Sequence, residues 1–275
     1  MERKIKTTIF LSLLVACGAE TRMINESCYG GFKNAKKEVL KNDISSPYQL
    51  AIDYDTNTLF FSYTREDSEK STFESAYINL KTNEFNIIKG IKGGFANAID
   101  QENHIVYLGG ENGIYKFDYK TNLAKHIDGT SGKIWQMFFK KYLYYTTYPE
   151  EEVYIFKNGQ SYKVPQLSHT RGMLIAIDNA DNIYFSNSSG LFICADISNI
   201  TNIGDYNING FTSDVNGNLF FSTPNGIYAI DSNNKSVKQL VLIDDIYGVA
   251  VEHNGNIIYA SEDSIVRLEP TKTQR

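Results

Sequence analysis

Six side chains in this sequence share one offset and could together stack a flat ligand. Tyr48, Phe95, Trp135, Met173, Asn209 and Tyr247 stand five residues before Asp53, Asp100, Lys140, Asp178, Asp214 and Glu252, respectively. Four of the six are aromatic, including the single Trp of the chain, and one is Met. Aromatic faces gathered at one rim would receive a planar ring, each good contact adding roughly 0.5 to 1.5 kcal/mol beyond area burial. Packing between structural units is the alternative use of the same side chains. The neighbours Gln49, Asn97, Gln136, Asn209 and Arg171 would fix a ligand's orientation. Arg171 suits a carboxylate, since a guanidinium presents paired donors.

Covalent and hydrolytic chemistry finds little to work with. His104, His126, His169 and His253 stand at different depths of a repeating pattern and form no ligand pair. The chain has no GxSxG, HExxH, Walker loop or clustered cysteine motif. Glu150-Glu151-Glu152 reads as a solvated turn tip. The expectation is a binding protein rather than an enzyme, with no metal site and no cofactor.

The elements that must position these residues come from internal repetition. "LAIDYDTNTLFFSY" from Leu50, "NAIDQENHIVYLGGENGIYKFD" from Asn97, "MFFKKYLYYTTYPEEEVYIFK" from Met137, "LIAIDNADNIYFSNSSGLFICAD" from Leu174, "FTSDVNGNLFFSTPNGIYAID" from Phe211 and "VAVEHNGNIIYASEDSIVRLE" from Val249 follow one script. Each runs from an apolar strand through an Asn/Asp/Gly turn to an alternating aromatic strand, a second turn and polar-alternating strands. A period of roughly 36 to 47 residues with four strands is that of a propeller blade. The last unit lacks a fourth strand, and Ala35–Lys41 supplies an orphan one that would complete it and remove an exposed sheet edge. The fold expected is all-β, one six-bladed β-propeller over residues 28–270. The recurrent Asp53, Asp100, Asp178 and Asp214 sit where Asp makes Asx turns, so they read as turn residues rather than catalysts.

Composition narrows the partners. The 275 residues are 42% apolar with 13% aromatic, a globular composition large enough for a sizeable core. A net charge of −5 gives no electrostatic reason to bind nucleic acid or an anionic membrane. Arg3, Lys4 and Lys6 before the apolar Ile9–Ala16 run and the small Gly18 and Ala19 have the layout of a signal peptide, so residues 1–19 are set apart from the fold. Leu14-Val15-Ala16-Cys17 also has the form of a bacterial lipobox. The apolar run is too short to span a bilayer, so the expected mature product is soluble and exported, and a monomer is expected.

Without Cys17, Cys28 and Cys194 remain; in an oxidising compartment they could pair, or Cys194 could be a small core residue. Sequons at Asn25, Asn187, Asn199 and Asn234 permit glycosylation.

Two resemblances follow from these residues. In "SPYQLAID", "NADNIYFS" and "NGFTSDVNGNLFFS" the chain resembles the regucalcin and gluconolactonase superfamily, six-bladed propellers that hold a divalent metal at the channel mouth with Glu, Asn and Asp. That resemblance implies metal-dependent lactone hydrolysis as the alternative function. The places corresponding to its ligands hold Tyr48, Met173 and Asn209, so only Asn209 could serve, and the carboxylates are missing. Over essentially the whole mature chain, with "CYGGF" at Cys28 and "NIYFSNSSGLF", the sequence is similar to the ommochrome-binding proteins of moths and butterflies. This second resemblance implies a secreted haemolymph protein that binds ommatin-type phenoxazinones or related tryptophan- and kynurenine-derived metabolites, a small planar aromatic pigment being its partner.

Overall fold

A computed structural model describes residues 32, 35–66, 71–196 and 199–270. Alternating apolar and polar residues with β-branched and aromatic types favour strands throughout. They assemble into six antiparallel four-stranded sheets, the blades of a propeller. The innermost strands are Tyr48–Asp53, Ala96–Asp100, Lys133–Lys140, Leu174–Ile177, Gly210–Ser213 and Gly248–Val251, taken below as blades I to VI. Five blades are built from consecutive strands, and in the sixth the order runs from Lys36–Lys41 through Ile265–Glu269 and Ile257–Ala260 to Gly248–Val251. The expected closure therefore forms, one residue shorter at its start than Ala35–Lys41.

Recurrent turns set the strand ends. Asp178 and Asp214 each accept two backbone N–H bonds on Oδ1 and a side-chain amide on Oδ2, from Asn182 and Asn218 respectively. Asp53 and Asp100 each accept one backbone N–H on Oδ1 and a side-chain donor on Oδ2, the Thr56 hydroxyl and the Asn103 amide respectively. The Asn richness of the chain has a related cause. Asn57, Asn83, Asn122 and Asn158 all adopt positive φ, a region Asn tolerates better than most residues because its short amide can bond locally.

Blades pack through their faces. Phe60 of blade I is fully buried, its ring 5.5 Å from Phe117 of blade II. Burying such a ring is worth about 1.5 to 3 kcal/mol. Where blades II and III approach, the "GG" of the second strand is required: a Cβ on Gly109 would lie 2.6 Å from Ile134 Cγ2.

Ring closure is sealed chemically as well as by strand pairing. Arg267, opposite Glu38 in the register, donates from Nε and Nη2 to Glu252 and from Nη1 to Glu38, each at 2.8 Å. Its Nη2 also reaches the carbonyl of Leu80 in blade I at 3.1 Å. One side chain thus ties the closing strand and the turn after the innermost strand of the last blade to the first blade. Burial works against the guanidinium charge, but the carboxylates of Glu252 and Glu38 outweigh it and push the pKa above its ordinary value.

Candidate ligand-binding site

The rings expected at one rim are brought together on four consecutive blades. Tyr247 of blade VI lies 5.4 Å from Tyr48, which lies 5.6 Å from Phe95, and Phe95 stacks on Trp135 at 4.5 Å. Met173 and Trp135 pack against the same core cluster, and both are half-buried. Asn209 completes the set as a polar gap, its Nδ2 donating to Ile246 O at 2.6 Å. At these separations the rings touch one another, so the belt offers an outward surface rather than an open slot.

Two further rings join the belt without sharing the offset. Tyr148 stacks on Trp135 at 5.0 Å and carries the Lys133 ammonium 4.8 Å above its ring. Phe73 lies 4.5 Å from Phe95 and 6.2 Å from Tyr48. Both come from outside the innermost strands. Phe73 starts a returning strand and Tyr148 ends one, so a comparison of innermost-strand approaches alone passes over them. Phe95 is buried beneath the belt, whereas Tyr48, Phe73, Trp135 and Tyr247 are half-buried and Tyr148 is exposed.

Backbone irregularities support the same rim. Strand register slips between Tyr48 and Ala51 and again between Ile134 and Gln136, so blades I and III are bulged at the belt. Gln49, inside the first bulge, holds φ at 53°. A non-glycine residue in the left-handed region costs on the order of 1 kcal/mol or more and must be held there by its surroundings. Bulges re-aim side chains, and here they fall beside Tyr48 and at Trp135.

The polar neighbours are placed differently from one another. Asn97 Nδ2 donates to Gln49 O at 2.9 Å. The Gln136 amide accepts from Ile175 N and donates to Ile175 O, so it acts as a two-point tie between blades III and IV. These amides, with Asn209, fasten blade to blade instead of reaching out to a ligand. Arg171 is exposed on the approach to blade IV, and burial raises the pKa of the Tyr247 hydroxyl.

The remaining candidate residues separate into described and undescribed ones. Cys194 is buried and unbonded to another cysteine, its thiol donating to Asp196 O and its pKa raised chiefly by burial. Asn187 is tied to its own turn, while Asn199 and Asn234 are exposed. Residues 1–19, Asn25 and Cys28 lie outside the described residues. Among the described residues no three His, Cys, Asp or Glu side chains cluster in a way that could hold a metal ion, and no helix is long and apolar enough to cross a membrane.

No family model matches the chain. It is 43% identical over 244 residues to the ommochrome-binding protein of Manduca sexta, covering 86% of this chain and 89% of that one. Among solved structures it superposes on a gluconolactonase of Xanthomonas campestris with a TM-score of 0.68 at 12% identity, covering 87% and 91% of the two chains. A luciferin-regenerating enzyme superposes with a TM-score of 0.64 at 12% identity, covering 86% and 95%. At such identities the structural likenesses show the shared fold alone.

Proposed function

The chain belongs to the ommochrome-binding protein family, and on that premise we propose that it is a secreted, monomeric binding protein for a planar aromatic pigment of the ommochrome class. A related tryptophan- or kynurenine-derived metabolite would use the same surface. The observation that supports this reading is the unbroken run of rings from Tyr247 through Tyr48, Phe95 and Trp135 to Tyr148. A fused planar ligand lies over the accessible parts of Tyr247, Tyr48, Trp135 and Tyr148, with Phe95 beneath them, and contact with several rings at once yields affinity without a deep cleft. Lys133, above Tyr148, and the exposed Arg171, two residues before Met173, are cations that suit a pigment's carboxylates. Binding, transport or storage in haemolymph follows from this reading; turnover does not.

The single Trp makes the test direct, because indole fluorescence reports the belt alone. Titration with an ommatin should quench Trp135 saturably and shift the pigment's visible band. Unchanged emission together with no retention of pigment in equilibrium dialysis would refute the proposal.

A further inference from the structure

The far end of the channel has no part in the reading above. A cavity of about 680 Å³ opens there, at the mouth formed by the turns after the innermost strands. Its inner end is walled by Leu50, Met137 and Phe211, and Asn97 lines it as well. Leu50, Asn97 and Met137 each stand two residues after a ring of the belt, so one short length of strand, roughly 7 Å, separates the two features. Tyr54 lines the opening and crosses from blade I, its hydroxyl 2.9 Å from Val251 O and 3.2 Å from Ser213 O.

Charge at this mouth is distributed unevenly. The carboxylates of Asp100 and Asp214 are turned into their own Asx turns, and Asp55 is ion-paired with His104. Glu102 is exposed at the rim, as is His253. Blade III breaks the pattern, with Lys140 standing where the other blades carry an acid and Lys141 forming the hairpin tip at φ 58°. Lys140 Nζ meets only a neutral partner, Asn179 Oδ1 at 2.5 Å, and Lys141 Nζ lies 5.7 Å over the Tyr142 ring. Apart from Glu102 these acids are engaged in their own turns or with His104, while among the described residues neither Lys140 nor Lys141 is paired with a carboxylate.

The geometry points to this cavity as a second ligand site, one that takes a small aromatic carboxylate with its ring against Leu50, Met137 and Phe211 and its carboxylate on Lys140 and Lys141. The volume lies inside the range of roughly 300 to 1,000 Å³ typical of small-molecule pockets. Charge-assisted bonds from two ammonium groups would orient the ligand with its ring inward. The assignment does not depend on the pigment reading, since it uses the opposite mouth and none of the belt residues.

Calorimetric titration of the full-length secreted protein with 2-naphthoate tests it. One equivalent should bind to Trp135→Ala, in which the belt is broken, with affinity unchanged. The same titration of Lys140→Gln/Lys141→Gln in that background should show at least about a tenfold loss, as removal of charged hydrogen-bond donors predicts. The neutral analogue 2-naphthamide should lose a comparable factor against the parent and nothing further in the double variant. Absence of naphthoate binding, loss of it in Trp135→Ala alone, or indifference to the lysine substitutions in protein of unaltered circular dichroism would each overturn the assignment.

Discussion

Arg267 and Glu252 meet through two parallel N–H···O bonds of 2.8 Å, Arg267 on the strand Ile265–Glu269 and Glu252 just beyond the end of Gly248–Val251. Their side chains are 11% and 13% exposed, which makes this a largely buried pair rather than a surface one. Arg267→Met strands the Glu252 carboxylate, whereas Glu252→Gln leaves Arg267 its bond to Glu38. Arg267→Met should cost about 3 to 5 kcal/mol in chemical denaturation and Glu252→Gln less than that, and a change within error for both would show that the clasp is not structural.

Glu38 tests the same clasp from the closing strand. Its side chain is 34% exposed, so Glu38→Gln should cost less than Glu252→Gln, on the order of 1 kcal/mol. Starting the chain after Asn42 removes both Glu38 and the pairing of Lys36–Lys41 with Ile265–Glu269. The melting temperature of that shortened protein should fall by more than the Glu38→Gln value; an equal value for both would mean that the strand adds nothing beyond the ion pair.

Trp135 stacks on both Phe95 and Tyr148. Trp135→Ala should weaken pigment binding by about 1 to 3 kcal/mol, a typical cost for truncating a central aromatic contact. Trp135→Phe should retain most of the affinity. Pigment affinity identical across the three proteins in equilibrium dialysis would take the belt out of the binding site.

Cys194 carries a thiol that burial holds above its ordinary pKa, and only thiolate reacts readily. In native protein at neutral pH it should resist a maleimide. After unfolding without reductant it should label fully, as counted by mass spectrometry of the peptide containing it; failure to label would instead indicate a disulfide.

Much of the fold is legible in the sequence because a blade's register is written in period-two alternation and repeated turn residues, as in "NADNIYFS" and "VNGNLFFS". The orphan strand at Lys36–Lys41 follows from counting strands. The belt is legible in part, since Tyr48, Phe95, Trp135 and Tyr247 share one offset. Phe73 and Tyr148 do not share it, reaching the belt from outside the innermost strands. Bulges leave no mark in residue type, so the left-handed Gln49 is visible only in the backbone. The amides of Asn97, Gln136 and Asn209 read like ligand contacts because any amide near a rim does. Their partners are backbone groups of the neighbouring blade, which no single stretch of sequence displays.

Glu38 and Arg267 are separated by 229 positions along the chain, yet they bond. A ribosome makes the first of them long before the second, so the strand Lys36–Lys41 waits unpaired until Ile265–Glu269 has emerged. Topologies that depend on such distant pairings fold slowly. The circle can shut only once Ile265–Glu269 has been made, so a growing chain holds five-sixths of a wheel before it can hold a whole one.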